Sequence, residues 1–104
     1  MVEKWNTEAF HRNITRRDRL SVVEFYTDWC PSCRTLSTVL DRAAANFSEV
    51  SFGRVNVEEE PTLMSAYHIR SVPTLMVFRR GKSVAESVGT IGQGRLEELI
   101  RETL

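Results

Sequence analysis

The sequence YTDWCPSC, residues 26–33, decides the fold, because a strand pattern stops there and a helix pattern starts. Before it, residues 20–27 form a nearly continuous run of β-branched and aromatic side chains, which predicts a strand covered on both faces. After it, apolar side chains recur at spacings of three and four between Pro31 and Phe47. This spacing predicts an amphipathic helix with Cys33 on its buried face.

The rest of the chain shows the same alternation of periods. Residues 51–57, 74–79 and 83–89 have strand patterns, the last two form a predicted hairpin, and residues 2–5 are a candidate short strand. Helical spacing recurs around residues 9–14, 63–67 and 96–100. The order predicts an α/β fold with a central mixed sheet of four or five strands and helices on both faces. Without linkers or repeats, residues 1–104 are expected to form one domain.

Composition and charge exclude several classes of protein. The chain of 104 residues is 41% hydrophobic, and 14 Lys and Arg balance 14 Asp and Glu. A neutral chain argues against nucleic acid as the main partner. No apolar stretch is long enough to span a membrane, and no targeting segment opens the sequence, so we expect a cytoplasmic protein. Arg16, Arg17 and Arg19 are interpreted as a solvated helix end rather than an anion site.

The spacing of Cys30 and Cys33 favours dithiol chemistry. Proline suits the first turn of a helix, so Pro31 places Cys30 at or near the N-cap. There the helix dipole and the unpaired N–H groups favour a thiolate. Cys33, one turn further in, is expected to be shielded. An exposed nucleophilic thiolate followed by a protected resolving thiol is the arrangement that disulfide exchange needs.

Metal binding is the main alternative for a cysteine pair of this spacing. Zinc would need two further ligands, and the only histidines are His11 and His68. Neither belongs to a second paired motif, so we expect no metal site. Two cysteines are also too few for a disulfide framework. A preceding aromatic residue, a proline within the pair, and the strand-to-helix position favour redox chemistry.

Several motifs in one register resemble the thioredoxin family over almost the whole chain. They are VVEFY at residues 22–26, WCPSC at 29–33, IRSVPTL at 69–75, FRRG at 78–81 and VG at 88–89. The resemblance implies a thioredoxin fold and a thiol–disulfide oxidoreductase acting on protein disulfides. It further implies a monomer without a bound cofactor, reduced by a thioredoxin-reductase-type donor that uses NADPH.

The resemblance also implies roles for individual residues. Pro73 would be cis and face the cysteines, while the backbone of Val72 would pair with an extended substrate segment. Trp29 and Gly89 match positions that border the substrate groove of the family. These four residues are therefore expected to form the substrate-binding site.

Glu24 stands where thioredoxins usually carry a buried Asp, and two interpretations are open. In the first, a buried Glu24 accepts a proton from Cys33 during resolution, directly or through water. In the second, Glu24 reaches the surface and pairs with an arginine such as Arg54, which matches a lysine of the family.

The dipeptide Pro31-Ser32 departs from the Gly-Pro that thioredoxins usually carry between the cysteines. Ser32 adds a hydroxyl near the Cys30 sulfur, and stabilisation of the thiolate would make the pair more oxidising. Three interpretations follow: a protein-disulfide reductase, a more oxidising disulfide donor or isomerase, and a redox-inactive binding module of the same fold.

Overall fold

Five strands form one mixed sheet in the computed structural model, which describes residues 1–104. The strands are β1 (Val2–Lys4), β2 (Ser21–Tyr26), β3 (Ser51–Asn56), β4 (Thr74–Arg79) and β5 (Lys82–Val88). Their order across the sheet is β1-β3-β2-β4-β5. β1, β3 and β2 are parallel, whereas β4 runs antiparallel to β2 and β5 antiparallel to β4. The predicted mixed sheet is confirmed with five strands.

Four helices connect or follow these strands: α1 (Thr7–Ile14), α2 (Pro31–Ala44), α3 (Pro61–Ala66) and α4 (Gln93–Thr103). Local chemistry explains where they begin. The Asn6 side chain caps α1 by accepting the N–H of Ala9 at 2.8 Å. A proline opens both α2 and α3, where a missing N–H costs nothing. None of the helices combines the length and apolar character needed to cross a bilayer.

The sheet separates two apolar cores. On one face, α2 and α4 pack against β2 and β4 through side chains that include Leu36, Ile100 and Val22. On the other face, α1 and α3 pack against the same strands through side chains that include Phe10 and Phe25. Because side chains alternate along a strand, β2 supplies both cores and is buried on both faces.

Trp5 is a core residue that the sequence patterns did not reveal. It follows β1, is only 3% exposed, and its backbone N–H donates to the Arg54 carbonyl at 2.8 Å. Its indole ring lies directly over Gly53 of β3. A β-carbon at position 53 would overlap the ring, so glycine is required there for the close approach of the side chain.

Substitution of Gly53 tests this packing. We expect Gly53→Ala to lower the free energy of unfolding by at least about 2 kcal/mol, because a rigid ring must move to admit the methyl group. Gly94→Ala is the matched control: nothing lies within 4 Å of its β-carbon position. Gly94 is the second residue of α4, where alanine is expected to leave the stability unchanged or raise it slightly. Urea unfolding measures both, and equal stabilities for the two variants would contradict the assignment.

Candidate active site

The cysteine pair and Val72-Pro73 meet at one edge of the sheet. Cys30 and Cys33 follow the end of β2, and Pro73 immediately precedes β4. Since β4 is antiparallel to β2, the beginning of β4 lies beside the end of β2, and Thr74 is paired with Phe25. The topology therefore brings together two motifs that are 40 residues apart in the chain.

Cys30 and Cys33 form a disulfide at the start of α2, with their Cα atoms 5.2 Å apart. Cys30 is the N-cap residue, and its sulfur accepts the backbone N–H of Cys33 at 3.1 Å. The Ser32 hydroxyl lies 3.6 Å from the same sulfur. The predicted N-cap position of Cys30 is confirmed, and so is the burial of Cys33.

The expected exposure of Cys30 is wrong for this disulfide form, in which the residue is only 4% exposed. The reason is geometric: the sulfur is turned towards Cys33 and lies 3.9 Å from the Val72 carbonyl oxygen. Trp29, the preceding residue, is 68% exposed and stands at the rim. Its indole N–H donates to the Glu58 carboxylate at 3.3 Å, which holds the ring.

A groove of about 470 Å³ runs past the disulfide. Residues 29–32 and residues 70–72 line it, together with Thr27, Val57, Glu58 and Met64. The Val72–Pro73 peptide bond is cis, as the resemblance implies. Of the four residues expected to bind substrate, Trp29 and Val72 line the groove, whereas Pro73 and Gly89 do not. The Gly89 N–H donates to the Pro73 carbonyl at 2.8 Å, which ties the end of β5 to the residue that follows Val72.

The Val72 backbone has free hydrogen-bonding groups. Its N–H and its carbonyl make no hydrogen bond to another backbone group. Val72 is half-buried at the edge of the groove. An extended peptide lying in the groove can therefore form main-chain hydrogen bonds here without displacing an existing partner.

Glu24 is fully buried within β2 and belongs to a polar network beneath α2. Its Oε1 accepts the Ser37 hydroxyl at 2.8 Å and the Arg54 Nε at 3.3 Å. Arg54 also donates to the Ser37 carbonyl and to the Asp41 carboxylate, both at 2.9 Å. The second carboxylate oxygen, Oε2, is buried and has no partner.

This environment combines parts of both interpretations of Glu24. Pairing with Arg54 is present, but the expectation that a paired Glu24 reaches the surface is wrong, because no part of the residue is exposed. Burial raises the pKa of Glu24 to about 7, although the Ser37 hydroxyl and the Arg54 guanidinium partly oppose the shift. Ser37 follows Cys33 by one turn of α2, which places the network on the Cys33 side of the helix.

Sequence reasoning missed Ser37 and Glu58 as parts of this site. A signal for Ser37 was available, since a hydroxyl four positions after Cys33 interrupts the buried face of α2. Nothing local pointed to Glu58, which reaches Trp29 only through the fold. No cluster of three or more His, Cys, Asp or Glu side chains is arranged to hold a metal ion.

A disulfide at a helix N-cap, beside the carbonyl that precedes a cis proline and next to a groove, defines the class of thiol–disulfide oxidoreductases. The thioredoxin family model matches residues 1–102. Thioredoxin from Chlamydia pneumoniae is 35% identical over 102 residues, covering 98% of both chains. Thioredoxin from Porphyra purpurea is 32% identical over 102 residues, covering 97% of this chain and 95% of that protein.

A structure of Plasmodium falciparum thioredoxin superposes with a TM-score of 0.87, covering 98% of this chain and 99% of that chain. At 23% identity, this likeness supports the fold alone. The family match and the curated relatives settle the family. The chain belongs to the thioredoxin family and is a thiol–disulfide oxidoreductase.

The pKa of Glu24 predicts how stability depends on pH. The pKa of Glu24 is about 7 in the folded chain and about 4.5 in the unfolded chain, so the folded state binds the proton more tightly. Protonation of Glu24 therefore stabilises the fold fully below pH 4.5, and this stabilisation is lost as the pH rises through 7. Glu24→Gln cannot lose a proton. We therefore expect its stability relative to the native chain to increase by about 3 kcal/mol between pH 4.5 and pH 8.

Urea unfolding of the oxidised proteins across this range measures the difference. The matched control is Asp41→Asn, which removes the exposed partner of Arg54 and keeps Glu24. Because Asp41 is the smallest of the contributions to the raised pKa of Glu24, the stability of this variant relative to the native chain should change far less across this range than that of Glu24→Gln. Parallel curves for Glu24→Gln and the native chain would mean that Glu24 is ionised throughout.

Proposed function

We propose that this chain is a cytoplasmic protein-disulfide reductase that acts as a monomer, with residues 1–104 as its single domain. The observation that carries the proposal is the cysteine pair at the start of α2, set across a groove from the free backbone groups of Val72. The family implies disulfide substrates and a reductase partner in general. We assign the donor to the NADPH-dependent thioredoxin reductase type.

Cys30 is proposed as the nucleophile because its sulfur receives the N–H of Cys33 and adjoins the Ser32 hydroxyl. These donors and the helix N-terminus favour the thiolate once the pair is reduced. The Cys30 thiolate attacks one sulfur of a substrate disulfide, and the other substrate sulfur leaves as a thiolate. A mixed disulfide between Cys30 and the substrate results.

Cys33 is proposed as the resolving residue because it is buried one turn further along α2. Its thiolate attacks the Cys30 sulfur, forms the internal disulfide and releases the second substrate thiolate. The substrate has then gained two electrons and the cysteine pair has lost two. An external dithiol donor must return them before the next cycle.

Substrate alignment is proposed for the opposite wall of the groove. Val72 would form main-chain hydrogen bonds with an extended substrate segment, since its N–H and carbonyl have no backbone partner. Pro73 would fix the backbone conformation of Val72, and the hydrogen bond from the Gly89 N–H to the Pro73 carbonyl would keep Pro73 in place. The exposed ring of Trp29 would cover the substrate from the other side.

Glu24 is proposed as the proton acceptor for Cys33, directly or through a water. Its free Oε2 can take a proton without breaking the contacts that Ser37 and Arg54 make with Oε1. A pKa of about 7 suits a proton acceptor at neutral pH. A large fraction of the Glu24 carboxyl groups is then ionised, and each carboxylate is basic enough to accept a proton from a thiol.

The proposed function predicts the behaviour of the cysteine variants. With NADPH, a thioredoxin reductase and a disulfide-bonded test protein, the native chain should turn over, and Cys30→Ser should abolish turnover. Cys33→Ser should accumulate a mixed disulfide with the test protein through Cys30, because resolution is lost. Non-reducing mass spectrometry identifies this adduct.

Two outcomes would count against the reductase role. Full biological activity of the double variant Cys30→Ser, Cys33→Ser would indicate a binding module. A reduction potential tens of millivolts above the roughly −270 mV of thioredoxin would indicate a disulfide donor or isomerase. In that case Ser32 would be the first residue to test, because of its hydroxyl beside Cys30.

The role of Glu24 is tested by separating attack from resolution. An aromatic disulfide that releases one coloured thiolate at each step reports both rates in a rapid-mixing experiment. Glu24→Gln should leave the first release unchanged and slow the second by at least about tenfold at pH 7.5. In the native chain the second rate should fall below pH 7 as Glu24 becomes protonated.

Asp41→Asn is again the control, because it changes the same network at its exposed end and leaves Glu24 in place. Its two rates should match those of the native chain. If Glu24→Gln released the second thiolate at the native rate at pH 7.5, Glu24 would not be the proton acceptor for Cys33, and its role would be structural.

A further inference from the structure

A second cleft, of about 340 Å³, lies at the opposite end of the sheet from the cysteine pair. It adjoins the beginning of β2 and the end of β4, which are paired with each other, whereas the disulfide follows the end of β2. A strand of this length separates the two sites by about 20 Å. Five arginines line this arginine cleft: Arg16, Arg17, Arg19, Arg79 and Arg80.

The charge of the arginine cleft is poorly compensated. Its carboxylate side chains are those of Asp18 and Glu49. Arg16 uses both oxygens of Asp18, through hydrogen bonds of 3.0 and 2.7 Å. The other four arginines form no salt bridge, although the chain as a whole carries no net charge. Five guanidinium groups face the side chains of Asp18 and Glu49 and the backbone carboxylate of Leu104, which also lines the cleft, so the concavity keeps a positive surplus.

The arginine cleft is also held in shape by backbone contacts from distant segments. Arg19 donates to the carbonyls of Ser48 and Glu49, at 2.6 and 3.1 Å. Arg79 donates to the carbonyl of Thr103 at the end of α4. The turn that follows Arg80 is tied to the end of α1 by a hydrogen bond of 2.7 Å from the Gly81 N–H to the Ile14 carbonyl. The guanidinium groups of Arg19 and Arg79 are therefore positioned before any ligand arrives, and so is the backbone turn that carries Arg80.

Arg80 occupies a position that turn chemistry does not favour. The two residues between β4 and β5 are Arg80 and Gly81, with φ of +52° and +85°. A tight hairpin turn with two positive φ angles favours asparagine, aspartate or glycine at its first position. An arginine there strains the backbone. The Arg80 side chain does not stabilise the turn, but it supplies the fifth guanidinium group of the arginine cleft.

We propose that the arginine cleft binds a compact polyphosphate, either free or as the phosphate chain of a nucleotide. Guanidinium forks match phosphate oxygens in pairs, and their convergence on one small concavity suits a ligand with several charges close together. No aromatic ring lines the cleft, so nothing there can stack a base. Its volume lies in the lower range of small-molecule sites.

The test is calorimetric titration of the full chain with sodium tripolyphosphate at about 0.15 M salt. Arg80→Asn should weaken binding about tenfold, because one charge-assisted contact is lost. The same variant should raise the melting temperature by a few degrees, because asparagine tolerates the positive φ. Weaker binding together with higher stability is a signature that general unfolding cannot produce.

Arg95→Gln is the matched control, since it removes the same charge from α4, more than two turns before Thr103. It should leave the affinity for tripolyphosphate unchanged. Equal weakening by Arg95→Gln and Arg80→Asn would overturn the proposal in favour of diffuse charge attraction. Absence of measurable binding by the native chain at this salt concentration would also overturn it.

Two further ligands distinguish the sources of the polyphosphate. ATP should bind no more tightly than tripolyphosphate, because the arginine cleft recognises phosphates and offers no ring to the base. Hexaglutamate should bind more weakly than either; tighter binding would overturn the proposal and indicate an acidic protein partner. The rate of disulfide reduction by Arg80→Asn should equal that of the native chain. A negative result in the polyphosphate titration would therefore leave the proposed reductase function untouched.

Discussion

Burial of β2 on both faces is the constraint on which the rest of the structure depends. β3 and β4 flank this strand, and its side chains supply both apolar cores. Once β2 is placed, its end fixes the start of α2 and therefore Cys30, and its antiparallel neighbour β4 fixes Pro73. The redox site is thus assembled at the ends of two paired strands, which hold the reacting groups in place.

The same constraint explains why Glu24 is unusual. A carboxylate at the centre of a doubly covered strand loses its hydration, and Arg54 and Ser37 replace only part of it. Apolar residues would stabilise this position better at neutral pH. The chain instead keeps an ionisable group on the face of the sheet that α2 covers, where the Ser37 hydroxyl contacts it and one carboxylate oxygen has no partner. A position that weakens the fold and faces the chemistry is more readily explained by function than by stability.

The two ends of the sheet differ in electrostatics and in apolar character. The cysteine end presents a groove with an exposed indole ring and free backbone groups, which suits an extended peptide. The opposite end presents five guanidinium groups, and Leu20 and Leu104 are the two apolar side chains among them. Because the strands of the sheet separate the two ends, a ligand can bind in the arginine cleft without altering the geometry of the disulfide.

Sequence by itself determined the strand and helix order, the N-cap position of Cys30 and the burial of Cys33, because periodicity and capping depend on residues within one or two turns of each other. It could not place Trp5 over Gly53, turn the Cys30 sulfur inward beneath Val72, or show that Glu24 is fully buried and accepts the Ser37 hydroxyl on the oxygen that pairs with Arg54. These contacts join segments distant in the chain. The arginine cleft likewise needs four such segments to converge, so only the tertiary structure decided it.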